Sequence, residues 1–209
     1  MASARRTRGK EGDNGINPWL GYTDVLSSML LIVLLAMGLV TLAKALNEKP
    51  LLREKPPLIS LTETDNSFRF PTGNYGLSQT FINALDVRYT TEIKPTIEAF
   101  DVDVIEVIGH TDGQPSARRT SNLDRRLPTV ALQGEFTGFQ VGSNAGLGLL
   151  RAMAVSRYLQ ARLEEDQLAV GIRPYSASSL LDPQGDFNPA PTVSDPTRRR
   201  IEIRFTRSY

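Results

Sequence analysis

Cysteine is absent from the 209 residues, and histidine occurs once, as His110. Those two scarcities exclude disulfides, thiol nucleophiles and thiolate metal sites, and they leave the usual zinc constellations without ligands. Charge of one sign is lacking as well. The formal net charge is +1 and aromatic residues make up 7% of the chain, so there is no broad basic face interleaved with aromatics of the kind that nucleic acid requires. Nucleic acid is therefore not expected as a partner. No nucleophile stands beside a base and no acid pair has catalytic spacing, so the chain does not read as an enzyme, and no cofactor is expected. What is present is a globular composition, 40% hydrophobic and 22% charged, with room for one ordinary domain plus accessories.

The longest apolar run, VLSSMLLIVLLAMGLVTLA from Val25 to Ala43, carries no charge and is long enough for a bilayer, which needs about 20 residues. A secretory signal is the competing reading. The run is longer than a usual signal core, and Leu42-Ala43-Lys44-Ala45 is a poor cleavage site, which favours an uncleaved span. Trp19 and Tyr22 form an aromatic belt at its start. Arg5, Arg6, Arg8 and Lys10 before the span balance Lys44, Lys49, Arg53 and Lys55 after it, so basic residues alone do not set the orientation.

Asp24 lies at the head of this span. On a helix it shares a face with Ser27, Ser28, Leu31, Leu35 and Gly38. Position alone leaves two readings open. Intramembrane acids usually mark an ion path or a partner contact, whereas an acid one turn inside the membrane edge reaches the headgroups and favours the helix start.

The chain divides into a basic tail over 1–18, a transmembrane helix over 19–46, a charged, proline-bearing linker over 47–57 (NEKPLLREKPP) and a domain over 58–209. In that domain 58–70 alternates in parts like a strand, and 77–100 has helical spacing at Leu77, Phe81 and Leu85 with Pro95 as a break. The run 102–108 reads as a buried central strand, and 144–163 as a helix with Leu147, Leu150, Ala154 and Tyr158 on one stripe and Ser143 or Asn144 as cap. Ile201, Ile203 and Phe205 alternate with Glu202 and Arg204, which predicts a last strand with one face in and one face out. Strands alternating with helices give an α/β sandwich.

Three blocks in order, IEVIGHTDG at 105–113, NAGLGLLRAMAVSRYL at 144–159 and RRRIEIRF at 198–205, resemble the OmpA-like peptidoglycan-binding domain shared with MotB. Gly109, His110, Thr111 and Asp112 meet the family's Gly-His-Thr-Asp loop. Asn144, Leu147, Gly148, Arg151 and Ala152 meet its helix start, and Arg198, Arg199, Arg200 and Ile201 its closing strand. Gly148 stands where Ser is usual and Arg198 where Asn is usual, which puts those local hydrogen bonds in question. Residues 113–143 form an insertion longer than most members carry, rich in Arg, open to reading as a flap over the pocket or a dimer contact. That insertion, with Tyr22-Thr23-Asp24, is most similar to the ZorB subunits of the Zorya phage-defence system.

The resemblance implies binding of peptidoglycan by Asp112, Arg151, Asn144, Leu147, Thr111 and Arg199. The diaminopimelate side chain of the wall peptide ends in a zwitterion, so its pocket needs an anion for the ammonium and a cation for the carboxylate. Asp112 and Arg151 supply those charges, and Arg suits bidentate carboxylate capture. Free N–H groups at the helix start would add to anion binding. Without the resemblance the residues read as a structural Asp112–Arg151 pair with His110 packed at a strand end. With it, Arg198 to Arg200 read as solvated edge charges plus one pocket contributor, Arg199.

The resemblance also implies a bacterial inner-membrane protein with its N-terminus in the cytoplasm and its C-terminal domain in the periplasm. It implies a homodimer inside a ring of a polytopic MotA/ZorA-like membrane subunit, with Asp24 carrying the transported proton or sodium ion. The alternative is a passive tether from inner membrane to peptidoglycan, which gives Asp24 no task.

Overall fold

Residues 18–47, 55–116, 120–133 and 136–207 are described in the computed structural model. The tail up to residue 17 and linker residues 48–54 lie outside that set. The chain forms two compact units, Met1–Pro50 and Leu51–Tyr209.

The first unit contributes helix α1, Pro18–Asn47. Proline suits a first helical position, where its missing N–H would have no partner in any case. Within α1, Gly21–Ala45 is a 25-residue apolar stretch, about 37 Å at the rise of an α-helix and so longer than a hydrocarbon core of about 30 Å. Val25, Leu26, Met29, Leu30, Leu34, Leu39 and Leu42 are all exposed. A helix apolar on every side has the surface of a membrane span. Its hydroxyls are satisfied internally: Ser27 donates to the Thr23 carbonyl at 2.8 Å and Ser28 to the Asp24 carbonyl at 2.7 Å, as hydrocarbon demands.

The second unit is a mixed α/β domain. Its strands are β1 (Ile59–Thr62), β2 (Val104–His110), β3 (Gly171–Ser178) and β4 (Arg200–Thr206), in the order β1-β4-β2-β3. β2 and β3 run parallel, while β4 lies antiparallel to both β1 and β2. Ile105 and Val107 of β2 join Ile201, Ile203 and Phe205 of β4 and Leu61 of β1 on one buried face. Helices α2 (Gln79–Arg88), α3 (Lys94–Phe100) and α5 (Asn144–Glu165), with the segment joining α2 to α3, add Phe81, Leu85, Tyr89, Ile93, Ile97, Val155, Leu159 and Leu163 to that core.

Pro95 does not break the helical run. A wide π turn over Tyr89–Ile93 links α2 to α3, with the Lys94 N–H reaching back to the Tyr89 carbonyl, and this wider turn accommodates a ring that has no N–H to give. The stripe expected on α5 is also too narrow. Gly148, Arg151, Ala152, Val155, Leu159 and Leu163 face inward as well, while Leu147 and Tyr158 are half-buried at its margins. Ser143 is the cap, its Oγ accepting from the Gly146 N–H at 3.1 Å.

Of the outward face expected on β4, Arg204 is exposed but Glu202 is not. Glu202 and Arg200 are buried, because the segment between β3 and β4 folds over that end of the sheet and the Asp182 carbonyl accepts from Arg200 Nη2 at 2.7 Å. Arg198 is likewise buried and donates to the Asn188 carbonyl at 2.6 Å. Neither is a solvated edge charge.

Within 113–143, Leu123–Gln133 forms helix α4. Leu123, Val130, Phe139 and Val141 make a second small core with Leu150 of α5. Asn122 ties the far end back, donating to the Gly138 carbonyl at 3.1 Å and accepting from the Gln140 N–H at 2.8 Å. The described part of the insertion is thus a wall built against α5.

Helix α5 crosses β2 in backbone contact at a pair of glycines. A Cβ on Gly109 would lie 2.0 Å from the Gly148 carbonyl oxygen, and one on Gly148 would lie 2.5 Å from Ser176 Oγ and 2.8 Å from the Gly109 oxygen. The serine usual at 148 therefore has no room, which explains that departure by packing. Gly109→Ala should destabilise the domain by about 3 kcal/mol through overpacking, more than Gly148→Ala, whose nearest obstacle is a side chain. Denaturant unfolding of the full chain in detergent checks the order.

Candidate functional site

The loop after β2 begins with Thr111, whose N–H donates to the Ser178 carbonyl at 2.8 Å. Gly113 lets this loop pass the segment before β4, since a Cβ there would lie 2.1 Å from the Pro191 carbonyl oxygen. Asn144 leaves the capping to Ser143. Its Nδ2 donates instead to the Asp112 carbonyl at 3.1 Å and the Gln114 carbonyl at 2.9 Å, stapling the loop to the start of α5.

Asp112 is presented by this loop with both oxygens engaged. Oδ1 accepts from the Gln114 N–H at 3.3 Å, and Oδ2 accepts from the Asp195 N–H at 3.2 Å and from Arg199 Nη1 at 2.5 Å. Arg199, just before β4, also donates through Nε to Glu63 Oε2 at 2.7 Å and through Nη1 to Ser194 Oγ at 3.0 Å. Glu63 is placed by its main chain, whose N–H donates to the Arg199 carbonyl at 3.0 Å where β1 and β4 run out. Its Oε1 accepts from the Phe70 N–H at 3.3 Å and lies 4.0 Å from Arg151 Nη1.

Arg151, about two turns into α5, stacks over the Phe70 ring at 4.7 Å and donates through Nε to the Asn74 carbonyl at 3.0 Å. Burial pulls its guanidinium down to about 10, against the opposing charge of Glu63, and it stays protonated at neutral pH. Burial also works to lower Arg199, but hydrogen bonds to Glu63 and Asp112 outweigh it and the net displacement is upward. In place of the direct Asp112–Arg151 pair that the residues suggest without the resemblance, three pairs form: Asp112 with Arg199, and Glu63 with each arginine.

These groups line a cleft of about 770 Å³ that takes in Thr111, Asp112, Asn144, Leu147, Arg151 and Arg199 together, within the size range of small-ligand sites. Thr111 Oγ1 is buried there without a hydrogen-bond partner among the described residues. A buried hydroxyl left unpaired is costly unless a ligand or water meets it. Phe139 and Val141 of the insertion form one wall. Tyr75 opposite packs edge-on against Phe136 and Phe139 and accepts from the Phe139 N–H at 3.2 Å. Asp24 belongs to the other unit.

No family model matches the chain, and no curated protein matches it either. Solved structures do resemble it in chain path. The periplasmic domain of Helicobacter pylori MotB is similar at 19% identity over 75% of this chain and 79% of that one, with a TM-score of 0.45. The cell wall anchor of the type VI secretion system from Pseudomonas aeruginosa is similar at 18% identity, over 72% and 81% of the two chains, with a TM-score of 0.41. The peptidoglycan-associated lipoprotein from Burkholderia pseudomallei is similar at 20% identity, over 77% and 98%, with a TM-score of 0.35.

Glu63, Asn74 and Tyr75 were not legible as site residues. Glu63 follows a short strand with no motif around it, and its role comes from β1 pairing with β4, a contact spanning more than half the chain. Arg199, the central cation of the cleft, was expected there from the resemblance of its closing-strand block, and apart from that resemblance carried only the signal of an Arg-Arg-Arg run.

His110 opens onto a second polar cluster beside the cleft. It is fully buried, opposite Arg200 in the sheet register, with Nε2 3.4 Å from Glu202 Oε1. Glu202 also accepts from Arg200 Nε at 2.9 Å and Arg204 Nη2 at 2.7 Å. Burial alone would raise the Glu202 carboxyl, but His110, Arg204 and Arg200 outweigh it and hold it near 2, below its ordinary 4.5. A carboxyl depressed on folding stabilises fully above its unfolded value and loses that contribution as pH falls toward its folded one. The stability difference between wild type and Glu202→Gln should therefore be largest at neutral pH and shrink between pH 4.5 and about 2, as read from thermal unfolding across that range.

Proposed function

We propose that this chain is an inner-membrane subunit that grips peptidoglycan through the Asp112–Arg199 cleft and serves an ion-driven motor complex of the MotB/ZorB kind. The observation that carries the wall-binding part is the cleft itself: two carboxylates and two guanidiniums, mutually paired and nearly dry, around an unpaired threonine hydroxyl. Such a set recognises a zwitterion, and the diaminopimelate of the wall peptide presents one. Arg and carboxylate pairs of this type also give orientation, since the guanidinium fork matches a carboxylate plane. No chemistry on the ligand is needed. The cleft holds, and the linker passes load to α1.

The motor part rests on α1 and on the sequence resemblance to MotB and ZorB. Asp24 lies in the first turn of the apolar stretch, where a carboxylate costs less than the roughly 2.5–3.5 kcal/mol of the bilayer centre, and acids within spans commonly mark an ion path or a partner contact. In this reading Asp24 binds the proton or sodium ion, two copies sit within a polytopic MotA/ZorA-like partner, the outer domain lies in the periplasm, and the complex acts in phage defence. A passive tether would need the same cleft and leave Asp24 idle.

Two variants separate these roles. Arg199→Ala should lose at least about tenfold in co-sedimentation with purified sacculi, a typical cost for removing one partner of a desolvated charge pair, while Asp24→Asn should sediment as wild type. Asp24→Asn should in turn abolish phage protection and ion flux in cells. Retention of both by Asp24→Asn would leave a tether, and undiminished sedimentation of Arg199→Ala would remove the cleft from wall binding.

A further inference from the structure

One wall of the cleft belongs neither to the sheet nor to the helices of the main core. Phe139 and Val141, near the end of the insertion, face the turn at 71–76, and both segments line the cleft. The two sides meet at Tyr75. Its ring lies edge-on to Phe136 and Phe139, with centroids 5.2 and 5.9 Å away, and its hydroxyl accepts from the Phe139 N–H at 3.2 Å. Behind this meeting point Arg126 lies 5.7 Å over the Phe139 ring and Arg157 lies 5.8 Å over that of Phe136. Phe136 itself stands outside the cleft lining.

The two sides are held differently. The turn is tied to the floor, because the Asn74 carbonyl accepts from Arg151 Nε at 3.0 Å, and Asn74 Oδ1 accepts from the Tyr75 and Gly76 N–H groups at 2.7 and 3.0 Å. The insertion edge rests instead on the small core of Leu123, Val130, Phe139, Val141 and Leu150, separate from the core under the sheet. A unit with its own small core can open at lower cost than the whole domain. Gly138, at φ 72°, precedes Phe139 and gives that edge a backbone position open to wide rotation. The contact consists of aromatic edges and one neutral hydrogen bond, so parting it strands no buried charge.

Resting on the wall-binding reading above, we propose that Tyr75 and the insertion edge form a latch across the cleft, which parts to let a wall peptide in or out and closes again over it. The insertion edge moves, and the turn stays where Arg151 holds it. A latch of this kind raises the barrier to entry and to escape together, leaving the balance between them unchanged. Slow escape is what a subunit pulled against the wall requires.

The test is surface plasmon resonance on the immobilised full chain in detergent, with the tripeptide L-Ala-γ-D-Glu-meso-diaminopimelate as the probe. Phe136→Ala removes a latch contact and leaves the cleft lining in place, so association and dissociation should both quicken at least about fivefold while Kd stays within about twofold. Faster dissociation alone, with Kd weakened to match, would overturn the latch and make the insertion edge a plain ligand contact. Unchanged rates would overturn it as well. The chain has no cysteine of its own, so the double variant Tyr75→Cys, Phe139→Cys allows a second reading that does not depend on Phe136→Ala folding. Joined by a short bismaleimide while empty, that variant should take up the tripeptide at least about tenfold more slowly than before joining; joined after loading, it should release it at least about tenfold more slowly. Equal rates before and after joining would sink the latch and leave the wall-binding reading standing. No binding of the tripeptide by wild type would remove both.

Discussion

The bridge that Arg199 makes between Glu63 and Asp112 organises the cleft end of the α/β domain. It joins the end of β1, the start of β4 and the loop after β2, segments separated by 136 and 87 residues in sequence. Charges held this far from water are destabilising when single and tolerable when each has a partner and its remaining hydrogen bonds are met. Here the Gln114 and Asp195 N–H groups complete Asp112, and the Phe70 N–H and Arg151 complete Glu63. The cost of separating any member couples these three segments.

Packing sets where that bridge stands. The glycine pair at 109 and 148 brings α5 down onto β2, which carries Arg151 to the level of Asp112 and puts Asn144 within reach of the loop carbonyls. The insertion then adds a wall of its own, with Phe139 and Val141 packed against α5 through Leu150 and against Tyr75 across the cleft. The sheet and its helices are thus a support that aims a few polar side chains into one space.

The fold was legible where a single segment contains its own signal. The apolar run of β2, the alternation of Ile201, Ile203 and Phe205, the Ser143 cap and the long apolar helix α1 are all local patterns. Expectations failed where distant segments decide the environment. Glu202 was read as solvated because alternation says nothing of a loop folding over the far face. Pro95 was read as a break because a π turn leaves no mark in composition. The charge pairing differed for the same reason: Arg151 and Asp112 belong to recognisable blocks, but Glu63, which takes Arg151 and shares Arg199, is brought in by β1 pairing with β4.

In the proposed function, a cleft that balances its own charges holds a ligand without consuming it, and the acid of α1 answers to an ion. Holding is the more basic of the two, since either a motor or a tether requires it. The most direct measurement compares sedimentation of the full chain with sacculi whose wall peptide carries diaminopimelate and with sacculi whose peptide carries lysine at the same position, which has the ammonium but not the carboxylate. The account predicts sedimentation with the first and not with the second. Equal sedimentation with both would contradict it, because a cleft built around Arg199 has no reason to accept a ligand that leaves Arg199 without an anion.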